Sequence, residues 1–280
     1  MRANLQDYDA VVADADGIAA ALKTHRNIDP PLAPQPGQRA PNVRIRKAGL
    51  KYIQVYGERS SGTKYLTQLL VENVVEPDHI LGSYATKSDP INKAKLIGYK
   101  HYYPRADKLA KHQHQTLFLV IYKNPYTWIR SMLGKPYHFK ACLEGKGIAD
   151  LAKLPLEGVD IHGREIPDLH PKTGKRITMF ELRKHKILEW EKLTSLVGNV
   201  VYLNYEDLLV SPTDIMQRIV TEFPSLFRDP IARRHDPDPQ YLEKYVTPKP
   251  FHPDELTTMD ANIDWSVEAI AGYKKGNLFI

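Results

Sequence analysis

Tyr52-Ile53-Gln54-Val55-Tyr56 runs straight into Gly57-Glu58-Arg59-Ser60-Ser61-Gly62-Thr63-Lys64, after which Leu66, Leu69, Leu70 and Val74 follow at helical spacing. The first five residues are a β-type run, the next are small or charged, and the last set lines one face of a helix. Strand, small-residue turn and helix form the opening unit of a parallel α/β fold. In such a unit the first amides of the helix point into the turn, where they can meet an anion. Thr63 adds a hydroxyl donor, and Arg59 and Lys64 add charge.

The same alternation continues outward. Lys95 to His101 is expected to be a second strand. Thr116 to Tyr122 is almost wholly apolar, as a central parallel strand buried on both faces requires. It leads through Lys123-Asn124-Pro125 into a helix carrying Trp128, Ile129 and Met132. Thr178-Met179-Phe180-Glu181 has the form of a capping box, and the helix it opens is expected to stop at Gly198. Asn199 to Asn204 is the next strand, and Ser211-Pro212 opens a helix through Ile215, Ile219 and Phe223. The fold class is therefore α/β: a single parallel sheet with helices on both faces around a P-loop-like nucleotide-binding core.

Two stretches interrupt the pattern. Residues 134–176 and 229–256 are rich in polar residues and in Gly or Pro, and they are expected to be insertions. At the N-terminus, residues 4–26 have the spacing of an amphipathic helix, and the proline-rich Asp29 to Pro41 reads as an extended linker. The chain thus divides into 1–43, a helix on a Pro-rich linker, and 44–280, the α/β domain. The N-terminal helix has the reach to touch a second subunit, which would make a homodimer.

Composition narrows the function classes. The 280 residues carry 39 Lys and Arg against 33 Asp and Glu, a net charge of +6 that favours an anionic ligand. No apolar run is long enough to span a membrane. No signal-peptide pattern is visible, and the single cysteine, Cys142, suits a reducing compartment. A cytoplasmic protein without an integral membrane segment is the expectation. His112 and His114 lack a nearby Cys or acidic partner, so no metal site is expected. Basic residues are dispersed without interleaved aromatics, which argues against a nucleic-acid partner.

Gly57 and Gly62 have P-loop separation, but Thr63-Lys64-Tyr65 stands where Lys followed by Ser or Thr belongs. The hydroxyl that holds magnesium in a nucleotidase is missing, and Lys123 occupies the strand end where a metal-holding Asp would lie. The cradle therefore suits a donor that needs no metal.

On these residues the chain resembles the sulfotransferases that use 3'-phosphoadenosine 5'-phosphosulfate (PAPS). Ser61-Gly62-Thr63 followed by Lys64-Tyr65-Leu66 is similar to their phosphosulfate loop. Lys123-Asn124-Pro125 with Ser131 is similar to their Arg-x-Pro strand end and following serine, with Lys in place of Arg. Lys100-His101-Tyr102-Tyr103-Pro104 is similar to their Lys-x-His-x-Pro stretch, one residue shorter between Lys and His. Val200 to Asn204 entering Tyr205-Glu206-Asp207-Leu208 is similar to another family stretch. These motifs span residues 52 to 208 in the family's order. The resemblance implies PAPS as co-substrate, with Arg59, Ser60, Ser61, Gly62, Thr63, Lys64 and Tyr65 around its 5' end and Lys123 with Ser131 on its 3'-phosphate. Two departures stand out. Ser60 occupies the place of the usual loop lysine, leaving Arg59 or Lys64 as the catalytic cation. Gln68 occupies the place of the glutamate of glycan-type relatives, leaving His101 as the base.

The acceptor is expected to be a small polar molecule or glycan, since the inserted segments supply Tyr137, His138, Lys140, Arg164, Arg233, Arg234 and His235. Lys274 and Lys275 read as a solvated basic C-terminus. The alternatives are a P-loop kinase or other nucleotide phosphotransferase, and a non-catalytic polyanion-binding module.

Overall fold

A computed structural model of the chain describes residues 49–81, 98–104, 109–110, 112–159, 163, 165–166, 168–228 and 251–277. The expected N-terminal helix, its linker and residues 229–250 lie outside this set, as does part of the expected strand before Gly98. Four strands form one all-parallel sheet: β1 (Tyr52–Gly57), β2 (Ile80–Leu81), β3 (Thr116–Tyr122) and β4 (Val200–Asn204), in the order β2-β1-β3-β4. The main helices are α1 (Thr63–Asn73), α2 (Pro125–Gly134), α3 (Met179–Glu191), α4 (Tyr205–Val210), α5 (Pro212–Glu222), α6 (Pro253–Asn262) and the single turn α7 (Trp265–Glu268), with further single turns at Lys140–Leu143, Ile148–Leu151 and Leu193–Leu196.

β3 is central and buried along its whole length, as its unbroken apolar run requires. Phe118, Val120 and Tyr122 pack with Tyr56, Val200 and Tyr202 against Ile187 and Trp190 of α3. The alternate residues of β3 face the other way. α1 packs against β1 and β2, its apolar face formed by Leu66, Leu69 and Leu70. Capping follows the sequence closely. Asn124 accepts from the Tyr126 amide at 3.0 Å to start α2, and Thr178 forms a capping box with Glu181 to start α3.

Three elements differ from the sequence reading. The strand beside β1 is the two-residue Ile80–Leu81, whereas Gly98 to His101 forms a turn. Gly98 has φ +125°, which an extended strand does not adopt; among the described residues of this stretch the Lys100 carbonyl joins the sheet edge, accepting the Gly57 amide at 3.0 Å. Second, residues 253–262 form α6, opened by Pro253 at its first position with Asp254 and Glu255 in the first turn. Third, the stretch around Trp265 to Tyr273, whose sequence reads as a final short helix, forms α7 followed by turns up to Gly272.

The strand order decides where a ligand can sit. β2 follows β1 on one side and β3 lies on its other side, so the chain switches direction between β1 and β3. At such a switch the loops leaving the two carboxyl ends part and leave a crevice. Register brings Gly57 opposite Ile121 and Tyr122 opposite Asn204, so the residues after β1, β3 and β4 share one edge.

Gly62 shows how tight that edge is. It sits at φ +89°, and a Cβ there would lie 2.1 Å from the Tyr205 ring. Gly62→Ala is expected to cost about 2–4 kcal/mol from left-handed strain plus overpacking. Chemical denaturation measures this, and an unchanged midpoint would contradict the close contact with Tyr205.

Candidate active site

The turn between β1 and α1 is built to curl. Ser60 has φ +62° and Gly62 φ +89°, so two left-handed residues reverse the backbone within three positions. The Ser61 amide and hydroxyl both donate to the Glu58 carbonyl, at 3.2 and 2.7 Å, which closes the turn on itself. A Cβ at Gly57 would lie 2.7 Å from Ile121, Ser61 and Thr63, so the strand end must be glycine. α1 begins with no side-chain cap and no acid in its first turn. Its amides and the positive end of its dipole are thus left for an anion.

Two lysines stand beside this cradle. Lys64 is exposed on the first turn of α1, and Lys100 is half-buried where its carbonyl meets Gly57. Burial, and then the charge of Lys64, pull Lys100 down to about 8. Neither lysine has an ion pair among the described residues. Next to Lys100, the buried His101 places Nδ1 2.6 Å from the Gly57 carbonyl oxygen. A carbonyl only accepts, so Nδ1 carries the proton and Nε2 keeps the lone pair. Burial and the charges of Arg59 and Lys100 hold His101 well below the ordinary histidine value, so the ring is neutral near pH 7.

Across the switch point, Lys123 ends β3 and Ser131 lies two turns into α2. Lys123 Nζ donates to Ser131 Oγ at 2.8 Å and lies 5.2 Å from the centre of the Tyr205 ring. Burial pulls the Lys123 ammonium down, against the nearby Glu206 carboxylate, which pulls it up. Glu206 in turn is pushed up by burial and accepts from the Asn124 amide and the Tyr273 hydroxyl. The C-terminal segment closes this corner. The Asn277 carbonyl accepts from Asn124 Nδ2 at 2.8 Å, and the Gly276 amide donates to Tyr126 Oη at 3.1 Å. Lys274 and Lys275, read from sequence as a solvated basic C-terminus, are exposed, while the backbone of Gly276 and Asn277 beside them is bonded to the turn and helix after β3. The reading missed this because the tail bonds through its backbone, and its partners are the Asn124 and Tyr126 side chains about 150 residues away.

Beneath the cradle lies a buried ion network. Arg183 of α3 bonds Glu268 through two nitrogens, Glu58 at 2.6 Å and the Lys123 carbonyl at 2.7 Å. Arg59 binds Asp168, whose other oxygen is 2.9 Å from Lys186 Nζ. Burial pushes Asp168 up, but Lys186 and Arg59 together outweigh it and hold the carboxyl below the ordinary aspartate range. Burial likewise pushes Glu58 up to about 7 in spite of Arg183.

The structure thus brings together Ser60, Ser61, Gly62, Thr63, Lys64 and Tyr65 around the cradle, sets His101 against Gly57, and pairs Lys123 with Ser131. Arg59 stands apart: its backbone belongs to the loop, while its guanidinium is tied to Asp168 and to His138. Of the expected acceptor-side residues, Tyr137, His138 and Lys140 are described, while Arg164 and residues 233–235 lie outside. Sequence reasoning missed Glu58, Asp168, Arg183, Lys186, Glu206 and Glu268. One signal was present: Arg183 and Lys186 fall on the same helical face as Leu182, Ile187 and Trp190, where two charges need buried partners. Among the described residues no group of three His, Cys, Asp or Glu side chains is arranged to hold a metal ion, and no helix is long and apolar enough to cross a membrane. No protein-family model matches the chain, and no curated protein matches it either.

Removing Arg183 would leave Glu58 and Glu268 buried without their cation. Arg183→Met is expected to lose about 3–5 kcal/mol in urea unfolding. A loss below about 1 kcal/mol, the size of an exposed pair, would mean the network is not desolvated.

Proposed function

We propose that the chain transfers a sulfuryl group from PAPS to an acceptor hydroxyl, with a carbohydrate or other polar acceptor favoured. The observation that carries this reading is the Lys123–Ser131 pair, one strand across the switch point from an anion cradle that has its own lysines. PAPS has two anionic centres, the 5'-phosphosulfate and the 3'-phosphate, and the edge of the sheet offers two cationic ones. The motif resemblance supports the same pairing.

In this reading the first amides of α1, Thr63, Lys64 and Lys100 hold the phosphosulfate, with Ser60, Ser61, Gly62 and Tyr65 shaping the cradle. Lys64 and Lys100 supply the charge expected of the usual loop lysine, because the Arg59 guanidinium is bound to Asp168. Lys123 and Ser131 hold the 3'-phosphate. The acceptor oxygen attacks sulfur in line with the bridging oxygen. The bond from sulfur to that oxygen breaks, and its electron pair leaves on the 5'-phosphate. His101 Nε2 takes the acceptor proton, its lone pair set by the Nδ1–H bond to Gly57. The products are a sulfate ester and adenosine 3',5'-bisphosphate.

Calorimetric titration with adenosine 3',5'-bisphosphate, without magnesium, tests the reading. Binding tighter than that of ADP, weakened about tenfold or more in Lys123→Met, is expected. Binding seen only with ATP and magnesium would overturn it in favour of a phosphotransferase. Because burial destabilises the Lys123 ammonium, a bound phosphate should draw a proton onto it. The binding enthalpy should therefore shift with the ionisation enthalpy of the buffer in the sense of proton uptake, and lose that shift in Lys123→Met.

His101→Ala should lower turnover about 10²- to 10⁴-fold with little change in nucleotide affinity. The base must be unprotonated, and its protonated fraction grows only as pH falls through a value depressed below about 6.5. Hence kcat/KM should be level through neutrality and fall only in acid. A fall that begins above pH 7 on acidification would assign the proton transfer to another group.

A further inference from the structure

We propose that Arg59 is a positioning residue that joins the anion cradle to the 134–176 segment, so that an anion bound in the cradle orders the acceptor side. The inference rests on the sulfuryl-transfer reading only for the identity of the ligand that fills the cradle.

The backbone of Arg59 lies between Glu58 and the left-handed Ser60, inside the turn. Its side chain leaves the turn and makes its polar contacts in the inserted segment. Nη1 binds Asp168, Nε donates to His138 Nδ1 at 3.1 Å, and the guanidinium lies 4.9 Å from the centre of the Phe139 ring. These partners belong to one local unit. The His138 carbonyl accepts from the Val159 amide at 3.0 Å, and the Gly158 carbonyl accepts from the Ile166 amide at 2.9 Å. A Cβ at Gly158 would lie 2.6 Å from the Phe139 ring, so the ring is seated directly on the strand-like pair around Val159 and Glu165.

Arg59 has little freedom of its own. It is only 4% exposed, and its carbonyl accepts the Trp128 indole N–H at 2.8 Å. A change in the torsions of the turn must therefore be carried by the guanidinium into His138, Phe139 and Asp168 together. The far end is anchored, since Lys186 of α3 holds the other oxygen of Asp168. Nη2 is buried and makes no hydrogen bond among the described residues. A desolvated donor left over in this way favours a second arrangement of the segment in which it is satisfied. Two arrangements biased from the cradle are what coupling between donor and acceptor halves requires.

Hydrogen–deuterium exchange on the full chain tests this, with adenosine 3',5'-bisphosphate as the probe. In the wild type the nucleotide should slow exchange both in the turn and in residues 134–176. In Arg59→Met, ligand-free exchange of 134–176 should rise about tenfold and no longer respond to nucleotide, while the turn is still protected. Arg59→Lys, which keeps the charge beside Asp168 but cannot also donate to His138, should fall between the two and serves if Arg59→Met does not fold. Protection of 134–176 that survives in Arg59→Met would overturn the proposal, as would ligand-free exchange of that segment that Arg59→Met leaves unchanged. Failure of the nucleotide to protect the turn in the wild type would instead remove the sulfuryl-transfer reading. The ligand-free comparison then decides the Arg59 joint, and inorganic pyrophosphate replaces the nucleotide in the coupling arm, where protection confined to the turn counts against coupling.

Discussion

Arg183 is the interaction on which the rest of this structure depends. From the middle of α3 it binds a carboxylate of the turn after β1, a carboxylate of α7 and the carbonyl that ends β3. A buried guanidinium is tolerated only when its donors and its charge are both met, and here three separate parts of the chain must converge to meet them. The second half of the network repeats this logic with Asp168 between Arg59 and Lys186. The three cations and three carboxyl groups of the network are partnered with one another inside the protein, and so hold the edge of the sheet in place.

That pairing leaves the surface lysines to act outward. Lys64 and Lys100 crowd the same cradle, and the depressed Lys100 ammonium is a physical consequence of burial first and of that crowding second. An anion placed between them relieves both effects. Lys123 is subject to the same desolvation at the neighbouring strand end, with Ser131 supplying a hydroxyl beside it. Two centres that each gain by receiving an anion, one strand apart, are more selective than a diffuse positive surface. In the proposed reading they meet the two anionic groups of one ligand, whereas a flexible polyanion would not need the paired geometry.

The sheet order contributes as much as the charges. With β1 and β3 flanking the switch point, the turn after β1 and the lysine that follows β3 lie along the same edge of the sheet. His101 reaches that edge from a turn, not from the strand the sequence suggests, and the Lys100 carbonyl beside it accepts the amide of the last residue of β1. A turn also lets His101 fold back on Gly57, and that contact selects its tautomer.

Local chemistry made much of this legible from sequence. β1, its turn and α1 show in a strand run, a small-residue loop and a 3.6-residue repeat that need nothing from elsewhere in the chain. β3 shows in its unbroken apolar run and α3 in its capping box, while Lys123 and Ser131 stood out only through the resemblance of their stretch to a family motif, and their direct contact came from the structure. Tertiary structure alone decided the direction of Arg59, because Asp168 lies 109 residues away, and the role of Glu58, because Arg183 lies 125 residues away. It also decided that residues 273–277 close over the turn after β3. Periodicity and capping are short-range and are written in neighbouring residues. The pairing of buried charges is a long-range requirement that the sequence states only as a need, and folding selects which partner meets it.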